Sequence, residues 1–338
     1  MASNPSPLHV AVCGAGAFGR NHLRVYRELE RDGNVVKLTA ILESDANRAA
    51  SLREEWRVPV YASVEQALAA RSRGEIRIDA ASVCVPTSAH HAVAAQLLPA
   101  KIDLLIEKPL AASLAEADDL ISIAQQHGRI IQTGHLERFN PAVLAVQPLL
   151  NQPMFFEAHR LSVFTLRALD VDVVLDLMIH DLDIVLSFAN SPVREIHAVG
   201  LPILSKKTDI ANVRLEFESG CVANFTASRA STEQVRKLRF FQPHQYISID
   251  YARKDILVID VNAATASSTA APPGLAFSKP KVQQAEPLQL EIESFLQAVR
   301  TRTTPQVSAQ DGRAALALAL EINRAIAQHA QRAGLDRF

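Results

Sequence analysis

Residues 8–19, LHVAVCGAGAFG, decide the fold of the first part of the chain. Residues 8–13 are apolar and partly β-branched, which predicts a buried strand. This strand runs directly into a glycine-rich segment, and residues 20–29 have the character of a helix. A G-x-G-x-x-G between a strand and a helix is the context in which this motif binds a dinucleotide.

The glycine-rich segment is predicted to hold the pyrophosphate of the cofactor. Gly14 allows the tight turn, Gly16 lets the backbone approach the phosphates, and Gly19 lets the helix pack closely on the strand. Ala17 and Phe18 lie in the same segment, next to a helix start whose free N–H groups and positive dipole end favour an anion.

The second predicted strand, residues 35–42, ends at Glu43. An acidic side chain at this place can accept hydrogen bonds from both ribose hydroxyls of an adenosine, and it repels a 2′-phosphate. The position therefore predicts NAD rather than NADP as the cofactor. The alternative interpretation is a solvated carboxylate at a strand end.

Strands and helices alternate up to residue 133. Further strands are predicted at residues 59–61, 78–85, 103–106 and 129–133, and helices at residues 46–56, 64–71, 92–98 and 113–127. This order predicts an α/β Rossmann domain with a doubly wound parallel sheet over residues 1–133. Because ligands bind at the carboxyl ends of such strands, Pro86, Thr87 and His90 are predicted to lie beside the cofactor. A helix cap is the alternative for Thr87.

Residues 173–187, VVLDLMIHDLDIVLS, predict a buried helix with one polar stripe. Asp176, His180 and Asp183 are spaced i, i+4 and i+7, which places them on one helical face. A stripe of this kind either lines a cavity or is a solvated edge with a satisfied core histidine. An acid and an imidazole on one face leave these alternatives evenly weighted.

Three motifs together resemble one oxidoreductase family. V-P-T-x-x-H at residues 85–90 and E-K-P at residues 107–109 follow the N-terminal G-x-G-x-x-G. This combination resembles the glucose–fructose oxidoreductase/inositol dehydrogenase/MocA family over nearly the whole chain. The resemblance implies that Glu107 and Lys108 lie at the cofactor, with Lys108 at the active site beside the nicotinamide. It also implies that Asp176 and His180, as the D-x-x-x-H of a second-domain helix, are the catalytic acid–base pair.

Residues 134–141, GHLERFNP, open the predicted second domain, residues 134–338. This string is similar to the branch of the family that oxidises nucleotide-linked sugars, in particular to UDP-N-acetylglucosamine 3-dehydrogenases. Glu137, Arg138 and Asn140 are therefore predicted to bind substrate, as are Asp176 and His180. The alternative for Asn140 is a helix N-cap before Pro141 at the first helical position, and both roles are compatible.

Most of the second domain is predicted to be an antiparallel, partly open sheet flanked by helices, which makes it an α+β domain. In the strand at residues 155–165, His159 and Arg160 point to opposite faces, and Arg160 is the candidate for facing substrate. Ser219-Gly220 predicts a hairpin. A long loop is predicted at residues 263–281 and two closing helices at residues 288–300 and 311–331, the last of which packs on the core and is able to return to the first domain. An exposed sheet face would make a homodimer or homotetramer interface.

Composition excludes several other classes of protein. The 338 residues carry a formal net charge of −1, which argues against a nucleic-acid partner. No apolar run is long enough for a membrane span, and the first residues lack the pattern of a secretory signal. The three cysteines are odd in number and widely spaced, so we expect neither a disulfide framework nor a metal site, and we expect a cytoplasmic location.

The predicted function is NAD-dependent oxidation of a secondary hydroxyl of a nucleotide sugar. By the resemblance, the substrate is UDP-N-acetylglucosamine and the product its 3-keto derivative, ahead of transamination in lipid A biosynthesis. His180 would take the hydroxyl proton, Lys108 would hold the same hydroxyl, and Asp176 would orient the substrate or raise the basicity of the imidazole. The alternatives are a dehydrogenase of a free polyol or monosaccharide and an NAD(P)-sensing regulator without turnover.

Overall fold

The computed structural model describes residues 6–33, 35–164, 171–261 and 275–335. The chain divides into two compact units. The first unit contains the residues up to His135 together with Leu288–Arg313, and the second unit contains Leu136–Pro287 and the residues from Ala314 onward. The sequence-based division assigned residues 288–313 to the second domain, whereas here they belong to the first compact unit.

The first unit is built on a parallel sheet whose described strands follow the order β3-β2-β1-β4-β5-β6. The strands are β1 Leu8–Cys13, β2 Val36–Leu42, β3 Val60–Tyr61, β4 Ala80–Val83, β5 Asp103–Glu107 and β6 Ile131–Gly134. The helices of this unit that precede its return segment are α1 Ala17–Gly33, α2 Ala46–Trp56, α3 Val64–Ser72, α4 Thr87–Leu97 and α5 Leu114–Gln126. The predicted doubly wound sheet is confirmed, and all its strands have their carboxyl ends at one edge.

The return segment completes the first unit after the second has been built. It contains α8 Pro287–Thr301 and the beginning of α9 Ala309–Ala333. The backbone N–H of Thr133 donates to the carbonyl of Val307, and Gln132 donates from its side-chain Nε2 to the carbonyl of Glu291. These bonds give partners to polar groups of β6, which would otherwise be an open edge strand of the sheet.

The second unit is built on a mostly antiparallel sheet in the order β14-β13-β12-β11-β7-β10-β9-β8. Of its described strand pairs, only β7 and β10 run parallel. The strands are β7 Phe155–Val163, β8 Val193–Leu201, β9 Ile210–Phe217, β10 Val222–Ser231, β11 Val235–Gln242, β12 Gln245–Asp250, β13 Asp255–Asp260 and β14 Ala276–Ser278. The predicted mostly antiparallel sheet is confirmed.

One face of this sheet carries the core of the second unit. Alternate residues such as Phe156, Val213 and Phe240 are fully buried there. They pack with apolar residues of α6 Pro141–Val146, α7 Ile179–Ala189 and the later part of α9. Helix α7 is therefore fixed in place by apolar contacts within a core that also includes the sheet, α6 and α9.

Several element bounds differ from the predicted ones. Helix α4 begins at Thr87 rather than at residue 92, and its N-cap is Pro86 without a side-chain cap bond, so the cap predicted as an alternative for Thr87 is wrong. Residues 263–274 of the predicted loop lie outside the described residues, and residues 276–278 of it form β14 on the sheet edge. The hairpin at Ser219-Gly220 is confirmed, with Gly220 at a φ of +83°.

Neither a disulfide nor a membrane-spanning helix is part of the described structure. Cys13, Cys84 and Cys221 are free thiols. None of the described helices combines the length and the apolar character that crossing a bilayer requires.

Candidate active site

A cavity of about 570 Å³ opens at the carboxyl edge of the first sheet. The loops that follow β1, β2 and β4 form it, as expected for a ligand site of a doubly wound sheet. Of the predicted cofactor residues, those that line it are Gly14, Gly16, Glu43 and Pro86. Further lining residues that the sequence did not single out include Arg48, Ser63 and Cys84.

The glycine turn fits a dinucleotide. Gly14 has a φ of +84°, and a Cβ there would lie 2.8 Å from the backbone nitrogen of Val85, so a side chain is excluded. A Cβ on Gly16 would meet no atom within 4 Å, so the backbone of this lining residue is open to the space around it. A Cβ on Gly19 would overlap the carbonyl oxygen of Gly14, because α1 starts against the turn.

Glu43 is held as a carboxylate at the side of this cavity. Its Oε2 accepts the N–H of Ala15 at 3.1 Å, and its Oε1 accepts the N–H of Asp45 at 2.9 Å and Arg48 Nη2 at 3.1 Å. Burial alone would raise the pKa of Glu43, but Arg48 and the two N–H groups lower it below its ordinary value. The side chain therefore ties the glycine turn to the end of β2.

Sequence reasoning missed Arg48, the partner of Glu43. The sequence did contain a signal for Arg48. It lies in the first turn of α2, the helix that follows Glu43, and an arginine at this place lies near the ribose 2′ position. Arg48 is half-exposed and lines the same cavity.

His90 lies beneath the cavity rather than in its wall. It is fully buried, with Nδ1 3.0 Å from the carbonyl oxygen of Pro109 and Nε2 2.9 Å from that of Val85. Burial lowers the pKa of His90, so the neutral ring donates to one of the two carbonyls. It joins the turn after β4 to the turn after β5. Thr87, in the first turn of α4, is half-buried.

The other predicted cofactor residues are distributed around the same edge of the sheet. Ala17 and Phe18 are exposed at the start of α1, where Gly19 is buried. Glu107 ends β5, and its Oε1 contacts Nε2 of His22 at 3.0 Å inside the unit. Lys108 follows it and is half-buried.

The segment that carries Asp176 and His180 is not a uniform α-helix. Val174–Met178 form a π-helical turn, in which the N–H of Ile179 bonds the carbonyl of Val174, and α7 follows. Asp176 lies in the π turn and His180 in the first turn of α7, and both are half-buried. A π turn adds one residue to a helical turn. Because the surrounding residues are almost all apolar, this addition does not change the hydrophobic pattern, and the sequence did not reveal the π turn. Single π turns are frequent at functional sites.

A buried charged cluster lies in the second unit around Arg160. Its guanidinium contacts Asp181 twice, at 2.7 Å from Nε to Oδ2 and 3.0 Å from Nη2 to Oδ1, and Glu137 at 3.1 Å. The guanidinium also stacks over the Tyr251 ring, 5.4 Å from its centroid. Burial alone would lower the pKa of Arg160, but Asp181 and Glu137 raise it, so the charge is kept.

The rest of the GHLERFNP segment joins the same cluster. Asn140 caps α6 by accepting the N–H of Ala142, which confirms the predicted cap with Pro141 at the first helical position. Its Nδ2 donates to Glu137 Oε2 at 3.1 Å. Arg138 is buried and lies 3.6 Å from Asp183. The structure thus brings the predicted residues Glu137, Asn140 and Arg160 together and adds Asp181, which the sequence did not single out.

Comparison with known proteins identifies the family. Residues 8–135 match the model of an oxidoreductase family with an NAD-binding Rossmann fold, and residues 148–242 match the C-terminal domain of the Gfo/Idh/MocA proteins. A UDP-N-acetylglucosamine 3-dehydrogenase of Acidithiobacillus ferrooxidans is 33% identical over 326 residues, which are 96% of this chain and 99% of that protein. The chain belongs to the Gfo/Idh/MocA family.

Solved structures of two dehydrogenases have the same fold. The UDP-N-acetylglucosamine 3-dehydrogenase of A. ferrooxidans superimposes with a TM-score of 0.86 at 32% identity, over 94% of this chain and 97% of that one. A levoglucosan dehydrogenase in complex with NADH superimposes with a TM-score of 0.81 at 16% identity, over 95% and 97% of the two chains. The second likeness shows the fold alone.

Family membership gives the class of reaction. The protein is an NAD-dependent oxidoreductase. NAD supplies the hydride acceptor when it is bound. Gly14, Gly16 and Glu43 are the residues of this chain whose geometry fits its pyrophosphate and ribose.

Proposed function

We propose that the protein oxidises the 3-hydroxyl of UDP-N-acetylglucosamine to a ketone, ahead of transamination for lipid A. The observation that carries this proposal is the 33% identity to a UDP-N-acetylglucosamine 3-dehydrogenase across nearly the full length of both chains. The GHLERFNP string supports it, because this string resembles the branch of the family that oxidises nucleotide-linked sugars.

The proposed chemistry balances with two side chains and the cofactor. Oxidation removes a hydride from the carbinol carbon and a proton from its hydroxyl, and bound NAD⁺ would supply the hydride acceptor. His180 takes the proton as the general base, because an imidazole exchanges protons near neutral pH. Lys108 donates to the same oxygen and stabilises its developing negative charge. Asp176 orients the substrate or raises the basicity of the imidazole.

The charged cluster of the second unit is the part of this unit that we propose as the substrate site. Its proposed substrate-binding residues are Glu137, Arg138, Asn140 and Arg160. Arg160 is 4% exposed and holds Asp181, the residue next to His180, so its proposed part is to position the base.

The proposal is tested by NADH formation measured from absorbance. NAD⁺ is offered with UDP-N-acetylglucosamine, other nucleotide sugars, inositol and glucose, each with a carbonyl trap that removes the ketone. We expect a signal with UDP-N-acetylglucosamine and none from the variant His180→Ala. A signal only with a free polyol would keep the mechanism and overturn the nucleotide-sugar assignment. NAD binding without turnover of any substrate would favour a regulator.

We also propose a homodimer or homotetramer formed through the outer face of the second sheet. Phe155, Phe241 and Tyr246 form an aromatic group there, with ring centroids 5.6 Å and 5.0 Å apart, and Phe241 is 39% exposed. Light scattering of the wild type and of Phe241→Lys tests this. A lysine in the interface should dissociate the oligomer, so the measured molecular mass of the particle should fall. A cytoplasmic location is part of the proposal, and the free thiols are compatible with it.

A further inference from the structure

The segment that leads into the π turn has a defined starting point at Asp172. Its Oδ1 accepts the N–H groups of Val174 at 2.9 Å and of Leu175 at 3.0 Å, as the side chain of an N-cap residue does. Its backbone carbonyl accepts the N–H of Asp176 at 3.0 Å. Asp172 therefore determines the residue at which the first helical turn begins.

Helix α9 anchors Asp172 from outside this segment. The second carboxylate oxygen of Asp172, Oδ2, accepts Nδ2 of Asn323 at 3.0 Å. Both side chains are half-buried, and both residues belong to the second unit. One oxygen of Asp172 thus binds the start of its own helix, and the other binds a separate helix.

The loop between β8 and β9 and strand β10 provide two further anchors. The N–H of Val173 donates to the carbonyl of Thr208 at 3.0 Å, and the carbonyl of Val171 accepts from Nη2 of Arg229. Arg229 lies on β10 and is buried, and its Nε is 3.4 Å from Oδ1 of Asp209. The start of the π turn is therefore tied to three separate elements of the second unit.

The change from α to π hydrogen bonding takes place between the two residues of the proposed acid–base pair. The N–H of Asp176 bonds the carbonyl four residues back, at Asp172. The N–H of Ile179 instead bonds the carbonyl five residues back, at Val174. If this one-residue offset moved to the other side of Asp176, that residue would turn by about 100° around the helix axis relative to His180.

The apolar side chains of this segment do not specify where the offset lies. Residues 173–179 are apolar except for Asp176, and such a run suits a continuous α-helix as well as a π turn. A hydrogen bond to a fixed partner, in contrast, selects one residue. The contacts of Asp172 are of this kind, because moving the helix start by one residue would break them.

We propose that Asp172, held by Asn323, is a positioning residue that keeps the offset of the π turn in place and so sets the angle between Asp176 and His180. This inference rests on the proposed function, in which these two side chains act together on the substrate. Asp172 acts through the helix start and does not itself take part in the chemistry. The contact of Arg229 with the preceding carbonyl supports it from the sheet.

The contact between Asp172 and Asn323 is tested by exchanging its donor and acceptor in the full-length protein. Asn323→Asp sets a second carboxylate against Asp172 and should lower kcat with UDP-N-acetylglucosamine roughly tenfold, with KM for NAD unchanged. Adding Asp172→Asn returns one amide and one carboxylate to the contact, and it should bring kcat back to within about threefold of the wild type.

Gln245→Glu is the matched control. Gln245 Nε2 donates to Asp260 Oδ1 at 2.7 Å elsewhere in the second unit, so this variant makes the same change of charge at the same kind of contact. Its kcat should stay within about twofold of the wild type. Equal kcat values for Asn323→Asp and Gln245→Glu would overturn the positioning role, and so would a double variant as slow as Asn323→Asp.

Hydrogen exchange followed by mass spectrometry tests the anchor without turnover. Residues 173–180 should exchange faster in Asn323→Asp than in the wild type and return to the wild-type rate in the double variant, whereas residues 8–13 should not change. If Asn323→Asp does not fold, Asn323→Ala removes only the donor and should show the same faster exchange. Wild-type exchange of residues 173–180 would overturn the anchor. If His180→Ala keeps full turnover, the proposed function fails instead, and the exchange result still decides whether the contact holds the π turn.

Discussion

Arg160 and Asp181 form a two-contact ion pair in the interior of the second unit, with distances of 2.7 and 3.0 Å. Asp181 follows His180 on α7, and Arg160 lies on β7 at the centre of the sheet. The pair therefore links the helix that carries the proposed base to a central strand of the sheet. Glu137 adds a third contact to the same guanidinium.

Removing Asp181 should destabilise the protein strongly. Asp181→Ala leaves the buried guanidinium of Arg160 without its main counterion, which typically costs about 3–5 kcal/mol in the free energy of unfolding. Urea denaturation followed by fluorescence and circular dichroism measures this. Asp255→Ala is the control, because it breaks an exposed ion pair with Lys279 and should change little. Equal midpoints for the two variants would show that the buried pair adds no stability.

His180→Ala should remove the general base and spare the cofactor site. We expect turnover to fall by at least about 100-fold, the usual contribution of general acid–base catalysis. NAD affinity, measured by calorimetry, should stay unchanged, since the glycine turn and Glu43 belong to the other unit. The matched control is His197→Ala, whose exposed side chain lies on β8. Full activity of His180→Ala would disprove its assignment as the base.

Glu43→Ala should weaken NAD binding and relax discrimination against NADP. The change removes the proposed acceptor for the ribose hydroxyls, and it frees Arg48 to pair with a 2′-phosphate. The ratio of the two dissociation constants, measured by calorimetry, reports the effect. In the double variant with Arg48→Ala, NADP binding should weaken again. If NADP binds no better to Glu43→Ala than to the wild type, the carboxylate is not the discriminating group.

Asp209→Asn should make stability less dependent on acid pH. Asp209 Oδ2 accepts the N–H groups of Ile203, Leu204 and Ser205 at 2.6 to 2.8 Å. Burial alone would raise the pKa of Asp209, but these donors lower it below its ordinary value. The advantage of the wild type is then full above the unfolded pKa of about 3.9 and is lost as pH falls through the lower folded value.

Urea unfolding of this pair of proteins from about pH 7 down to about pH 2 provides the measurement. The two stability curves should converge towards the acid end. Glu218→Gln, on an exposed residue of the same unit, serves as the control and should follow the wild type throughout. Curves of Asp209→Asn and wild type that stay parallel would show that Asp209 does not hold its loop as a carboxylate.

The doubly wound parallel sheet was predictable because its strands alternate with recognisable turns and helices along the chain. Gly14, Gly16 and Glu43 were found from the same pattern, since the chemistry of the cofactor fixes their spacing. The alternation in β7 correctly separated the exposed His159 from the buried Arg160. The partner of Arg160 was not predictable, because a local pattern does not show which acidic residue faces a strand from another element.

Glu291 shows where the pattern held a signal that went unused. Residues 288, 292 and 295 are the apolar face of α8, and Glu291 lies on that face, three residues after Leu288 and four before Phe295. An acidic residue on an apolar helical face indicates a buried carboxyl group with a special environment. The assignment of Leu288–Arg313 to the first unit was not predictable, since it depends on contacts with β6 that lie more than 150 positions away.

The return of residues 288–313 to the first unit also determines when that unit can be completed during synthesis. A ribosome that has delivered the chain through Pro287 has released all strands of the parallel sheet, but not the carbonyl groups that Gln132 and Thr133 bond. The nascent Rossmann unit must wait for the rest of the chain with its last strand uncovered. A frameshift that removes the last fifty residues therefore damages the first unit as well as the second.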